Sequence, residues 1–247
     1  MANEILIYAE KLSKRYGDFI AADSLSMEIY KGEIFGFLGA NGAGKTTAMR
    51  MFCGLSIPSS GTASVAGFDV YKDSEKIKRN IGYMSQKFSL YEDLTVLENI
   101  RFFGGIYGLS DLQLKEKSEA ILNNLRIAKE GKTLVAALPL GWKQKLAFSV
   151  AMLHEPKIVF LDEPTGGVDP VTRRQFWNLI YEAAERGVTI FITTHYMDEA
   201  EYCNRISIMV DGRIDALDTP VNLKKQYNAN SMDEVFYQLA RGAKRGA

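Results

Sequence analysis

The chain has 247 residues, 47% of them hydrophobic and 24% charged. That length and balance suit one large domain able to bury an apolar core, and they exclude a disordered or fibrous chain. Lys and Arg number 30, as do Asp and Glu, so the formal net charge is zero and no net field draws the protein toward nucleic acid or anionic lipid.

Cys53 and Cys203 stand apart with no CxxC pair. This usage suits a reducing cytosol, although the sequence leaves a disulfide open. There is no N-terminal signal pattern, and no apolar run approaches the ~18 residues that span a bilayer. Any membrane role is therefore expected to come from other chains or from parts of a longer one.

The opening stretch from Glu4 to Gly39 carries short apolar and β-branched runs broken by Gly17, Asp18 and Gly32, which predicts several strands joined by turns. Ile34 to Leu38 reads as a short strand running into a glycine loop and then a helix, TTAMRMFCGL. From about Gln86 to His154 the spacing is helical, through Leu94, Leu97, Ile100 and Phe103 and then from Leu114 to Leu125. IVFLDE reads as a buried strand ending in acids. A helix (TRRQFWNLIYEAAERG), the strand VTIFITTH, a further helix and a short strand pair at RISIMVDGRI follow. Strands separated by helices predict a parallel α/β sheet covered on both faces. The expected layout is one domain, 1–247, with a core from 1–86 and 151–247 and an inserted helical subdomain at 87–150.

Gly39, Ala40, Asn41, Gly42, Ala43, Gly44, Lys45 and Thr46 match GxxxxGK[ST] between a strand and a helix. Polyphosphate is held by many N–H donors at close range, and glycines let the backbone approach without a Cβ in the way. The following helix adds its positive N-terminal end. Lys45 is expected to reach the β- and γ-phosphates, Thr46 to bind Mg²⁺ through its hydroxyl, and Thr47 to touch the α-phosphate. As an exposed loop residue Lys45 would contribute little to packing. Asp162 and Glu163 close the later strand where α/β sheets place their ligands. Neighbours on a strand point to opposite sides. Asp162 is thus assigned to Mg²⁺ and Glu163 to polarising the water that attacks the γ-phosphate. The alternative for the pair is solvated turn acids. His195, at the end of the next strand, is a candidate for a hydrogen bond to the γ-phosphate, whereas His154 reads as structural.

Taken together, YGDF, GANGAGKTT, YMSQ, FLDEPTGGVDP and ITTH, in this order and spacing from about Lys11 to Gly212, resemble the ATP-binding cassette superfamily. The resemblance implies an α/β P-loop NTPase (RecA-like) core with an N-terminal antiparallel β portion and an inserted helical subdomain. It implies ATP and Mg²⁺ as cofactors, Tyr16 stacked on adenine, and Gln86 as a Mg²⁺ ligand that links the site to a membrane partner. It also implies that Asp169 crosses between two cassettes. The implied partners are a second cassette and transmembrane permease subunits, with the chain peripheral at the cytoplasmic face of the membrane. The resemblance is strongest to ATPases of bacterial multidrug or polysaccharide exporters, and the segment Tyr91 to Phe103 is where a permease loop is expected to dock. The alternative there is an ordinary apolar helix face.

One departure stands out. Where the family carries LSGGQ, this chain reads Leu138-Pro139-Leu140-Gly141-Trp142. Pro139 supplies neither hydroxyl nor N–H, and Leu140 puts a side chain where close phosphate approach wants none. Either the motif is a tolerated variant, or the chain is the weakly hydrolysing half of an unequal pair. A soluble, non-transport ABC ATPase is the further alternative, although such relatives carry a coiled-coil insert or two cassettes in one chain, and this chain has neither.

Overall fold

The computed structural model describes residues 4–86 and 90–241. β1 (Ile5–Tyr16) and β2 (Phe19–Tyr30) form an antiparallel hairpin across the turn at Gly17 and Asp18. β3 (Ile34–Leu38) runs into the glycine loop, and α1 (Lys45–Phe52) follows. The stretch after α1, which the sequence reading left unparsed, supplies β4 (Ser60–Val65), β5 (Phe68–Asp69), α2 (Ser74–Asn80) and β6 (Ile81–Met84). The four-stranded sheet, in the order β2-β1-β4-β5, is the antiparallel portion the resemblance implies.

The helices α3 (Val96–Ile106), α4 (Asp111–Asn124) and α5 (Leu140–Ala151) precede β7 (Ile158–Asp162). The expected start of this stretch at 87 lies outside the described residues. Thr95 and Ser110 open α3 and α4 with reciprocal capping boxes to Glu98 and Gln113, so Leu94 lies before the helix its spacing suggested. α6 (Pro170–Glu185), β8 (Thr189–Thr194), β9 (Arg205–Val210) and β10 (Arg213–Asp218) follow, and α7 (Pro220–Gln226) and α8 (Met232–Ala240) close the described chain. The helix expected between β8 and β9 is a 3₁₀ segment, Met197–Tyr202. The β9–β10 turn falls on Asp211 and Gly212, both at positive φ, as a tight hairpin demands.

The second sheet has six strands in the order β10-β9-β3-β8-β7-β6, parallel from β9 to β6 with β10 antiparallel at one edge. Side-chain alternation divides its faces between two cores. Leu38, Val159, Leu161, Ile190 and Ile192 pack on one side with α3, α5 and α6. Phe35, Phe37, Ile158, Phe160 and Phe191 pack on the other with α1 and the antiparallel sheet. Phe191 is the hub of the second core, with the rings of Phe35, Phe37, Phe52 and Phe160 all within 5.9 Å of its centroid. Pairing β3, β8, β7 and β6 in parallel brings four carboxyl ends to one edge of the sheet.

The edge strand β6 is held close under the end of α5. A Cβ built on Gly82 would lie 2.3 Å from the Ala151 carbonyl oxygen, a backbone atom with little room to retreat. Gly82→Ala should destabilise the protein by ~2 kcal/mol and lower its melting temperature by ~4–8 °C. Calorimetry checks this; an unchanged melting temperature would show that β6 and α5 are less tightly apposed.

Candidate active site

The glycine loop from Gly39 to Gly44 links the end of β3 to α1. Two of its glycines are demanded by neighbours as well as by dihedrals. A Cβ on Gly44 (φ +108) would lie 2.2 Å from the Ala21 carbonyl oxygen of β2, and one on Gly39 would lie 2.5 Å from that of Met209 in β9. The loop is therefore wedged between two strands, and its backbone is held ready to receive an anion.

Lys45, expected as an exposed loop lysine, is instead buried, with 5% of its surface accessible. Its Nζ donates to the carbonyls of Gly39 (2.8 Å) and Ala40 (3.1 Å) and lies 3.4 Å from Glu163 Oε1. Burial pushes the ammonium below the ordinary lysine range, while the carboxylates of Glu163 and Asp162 oppose that shift. The expectation of little packing is corrected for this reason: the stem fills the floor of the loop.

Asp162 ends β7 and is buried. Its Oδ1 accepts from Thr193 Oγ1 of β8 (2.6 Å) and lies 3.4 Å from Thr46 Oγ1. Glu163 follows the strand rather than extending it. Its φ is +48, in the left-handed region, and its N–H donates to Thr193 through both the carbonyl and the hydroxyl oxygen, each at 3.1 Å. The two acids are thus separated by a backbone kink, which corrects the strand-alternation argument. The kink returns the Glu163 carboxylate to the loop, where three candidate groups meet it. Lys45 faces Oε1, Gln86 Nε2 donates to Oε2 (2.9 Å), and His195 Nδ1 lies 3.0 Å from the same oxygen. His195 is the first residue after β8, beside the strand that ends at Asp162. His154, read as structural, stacks on Tyr107 with Nε2 at 2.9 Å from the carbonyl of Ile81, at the start of β6 and the opposite end of the parallel strands from these groups.

A cleft of about 430 Å³ opens over these groups, lined by Asn41, Gly42, Gly44, Lys45, Thr46 and Thr47, with Gln86 and Glu163 on one side. Its remaining wall is Phe19 and Ala21 of β2. Tyr16 is not part of this wall. It faces Phe19 across the hairpin, and Lys14 Nζ lies 5.1 Å from the centre of its ring. Phe19 was missed as a site residue, although it sits in the quoted YGDF; which of two hairpin aromatics faces the loop depends on strand register. Thr193 was also missed, and only the β7–β8 pairing reveals it.

Behind Gln86 and Glu163 lies a second cavity of about 270 Å³, bounded by Leu140 and Gln144 of α5. Pro139 is the N-cap of α5 and makes no side-chain cap bond. Gly141 is needed here by packing within the chain, because a Cβ would lie 2.3 Å from Thr172 Cγ2 of α6. Asp169 caps α6, its Oδ1 accepting from the N–H groups of Val171 and Thr172 at 3.0 Å. A hydrogen bond from the Thr172 side chain, joined by these backbone bonds, holds its carboxyl below the usual range.

A sequence model described as ABC transporter matches residues 22–166. The chain belongs to the ABC transporter family, as one of its nucleotide-binding domains. It is 48% identical over 242 residues to the probable multidrug ABC transporter ATP-binding protein YbhF of Escherichia coli (strain K12), covering 96% of this chain and 42% of that one. The linearmycin resistance ATP-binding protein LnrL of Bacillus subtilis (strain 168) is 35% identical, with 93% and 74% covered. The chain therefore spans less than half the length of the Escherichia coli relative. Among solved structures, an ATP-binding subunit of an ABC transporter superposes with a TM-score of 0.85 at 28% identity, covering 95% of this chain and 99% of that one. CbiO1 from Clostridium perfringens, described as part of the ABC transporter complex cbiONQ, gives 0.81 at 27%, with 96% and 94% covered. The fold is the P-loop NTPase fold that the motifs implied.

Glu163 places a negative charge beside Lys45 at the floor of the cleft. An incoming polyphosphate meets repulsion from that carboxylate and competition for the ammonium. Glu163→Gln keeps the shape and removes the charge, so nucleotide affinity should rise by ~3-fold or more. Titration with a fluorescent nucleotide measures this, and weakened binding would contradict it.

Proposed function

We propose that this chain binds MgATP in the cleft above Lys45 and hydrolyses it to drive export through separate membrane subunits. The observation that carries the reading is the convergence of Lys45, Gln86 and His195 on one carboxylate, Glu163, at the edge where the parallel strands end. The loop N–H groups and Lys45 would bind the phosphates, and Phe19, with Tyr16 beside it, would offer an aromatic shelf for the base. Glu163 would accept a proton from the attacking water. His195, already on that carboxylate, would donate to the γ-phosphate once nucleotide draws it across.

The donor set fits a hard divalent cation. Thr46 Oγ1 and Asp162 Oδ1 are oxygen donors 3.4 Å apart, and Gln86 adds an amide oxygen. Among the described residues no cluster of three or more His, Cys, Asp or Glu forms an all-protein metal cage. A site built from one carboxylate, one hydroxyl and the substrate's phosphates is the arrangement Mg²⁺ prefers. When bound, Mg²⁺ neutralises charge developing on the phosphates.

The partners we propose are a second cassette and transmembrane permease subunits, with the chain peripheral at the cytoplasmic face of the membrane. No helix among the described residues is long and apolar enough to cross a membrane. The helical stretch 87–150 would act as the subdomain that meets the permease. Its exposed aromatic group fits that role: Phe102 packs edge-on against Tyr91 at 4.9 Å, and each keeps a little under half of its surface open to solvent. The names of the relatives, one a multidrug and one a linearmycin resistance protein, support an exporter.

Two experiments test this reading. Glu163→Gln should lower turnover at saturating MgATP by at least ~10²-fold, as expected when a general base is neutralised. Wild-type turnover in that variant would remove Glu163 from its role. The second experiment concerns LPLGW, whose Pro139 and Leu140 favour a second reading in which the chain is the weaker half of an unequal pair. Restoring two charge-assisted contacts, each worth ~1.5–3 kcal/mol, through Pro139→Ser with Leu140→Gly should raise the ATPase rate of the isolated chain. Fast wild-type turnover that the double substitution leaves unchanged would mean that LPLGW works as it stands.

A further inference from the structure

Glu199 is a fully buried carboxylate to which nothing above assigns a role. A buried charge is costly unless it is paired and hydrogen-bonded, and the partners of Glu199 come from two other segments, the loop after Glu163 and α6. Its Oε1 accepts from Thr165 Oγ1 at 2.5 Å and from Trp177 Nε1 at 3.3 Å, and it lies 3.7 Å from Arg173 Nε. Thr165 follows Glu163 by two residues, in the loop that leads to Asp169. Trp177 and Arg173 lie on α6. Glu199 itself lies four residues beyond His195, in the 3₁₀ segment Met197–Tyr202.

Arg173 strengthens the same junction. Its guanidinium lies 4.3 Å from the ring centre of Tyr196, the residue next to His195, and pairs with Asp198 at 3.3 Å. The His195 segment is therefore clamped to α6 on one side and to the Glu163 loop on the other, with the Glu199 carboxylate at the centre.

We propose that Glu199 is a positioning residue: by tying Thr165 to α6 it holds His195 and Glu163 at the mutual distance seen here. The proposal rests on the ATPase reading above for its kinetic consequence, but not for the placement of His195. An aliphatic side chain of similar size would fill the same space. It would lack the directional bonds by which the Glu199 carboxylate ties its own segment to Thr165 and to Trp177 of α6, and reacting groups tolerate little misplacement.

The test compares the wild-type chain with Glu199→Gln, Thr165→Val, His195→Ala and the double variant E199Q/H195A. ATP turnover is measured against MgATP concentration, and the histidine ring resonances are recorded by NMR. The chain has two histidines, so the spectrum of His195→Ala assigns the pair. Both Glu199→Gln and Thr165→Val should lower kcat by ~10-fold with KM within about twofold, and should move the His195 resonances while leaving those of His154 in place. Thr165→Val breaks the tie without altering charge, so a His195 shift in it reports placement rather than the field of a lost carboxylate. In the His195→Ala background Glu199→Gln should add no further loss, because its effect runs through His195. Turnover within twofold of wild type together with unmoved His195 resonances overturns the proposal, whatever the melting temperature does. So does a full multiplicative loss in the double variant. A wild-type chain that binds but never turns over MgATP would count against the ATPase reading alone, and the His195 resonances of the two single variants would then decide the positioning role.

Discussion

The geometry of the cleft depends on how the backbone turns at Glu163. A non-glycine residue in the left-handed region costs on the order of 1 kcal/mol and persists where its surroundings over-determine it. Here β8 does so, because Thr193 receives the Glu163 N–H through both its carbonyl and its hydroxyl while that hydroxyl donates to Asp162. One threonine therefore seats both acids. The kink gives Asp162 to the hydroxyl of Thr46 and returns Glu163 to Lys45, Gln86 and His195.

The same carboxylate makes the cleft electrostatically self-contained. Lys45 is desolvated, and Glu163 together with two loop carbonyls satisfies its ammonium until a better anion arrives. A polyphosphate that displaced Glu163 from Lys45 would also free it from that charge. In the proposed mechanism the ion pair of the resting site is exchanged for the proton-accepting arrangement by the act of binding. The low dielectric of the floor would make that exchange sensitive to the substrate's charge.

The segment that departs from the LSGGQ pattern is mounted rigidly within its own chain. Gly141 lies against Thr172 with no room for a methyl group, and the Asp169 cap fixes the start of the helix that carries Thr172. Lys143 of α5 pairs with Glu92 at 2.8 Å, one residue from the exposed Tyr91. The start of α5 is thus joined to α6 on one side and, on the other, to the stretch proposed to meet the permease.

What the sequence determined by itself was the chemistry written in contiguous residues. GANGAGKT declares a phosphate loop because spacing, glycines and a following helix are local properties, and the loop sits between β3 and α1 as that reading requires. The apolar runs of β3, β7 and β8, and the acids ending β7, were equally legible, since a strand buried on both faces shows as an unbroken apolar stretch. Tertiary structure decided the rest. Periodicity alone did not resolve the short strands and helix between α1 and β6. It could not show that Phe19, paired with Tyr16 across the hairpin, lines the cleft, because that depends on cross-strand register. Nor could it bury Lys45 beside Glu163, or show that Gly141 answers to Thr172 and that Glu199 joins three segments. Those contacts pair residues tens to more than a hundred positions apart. Their distances follow from how the sheet edge gathers its four strand ends, and no local pattern encodes that.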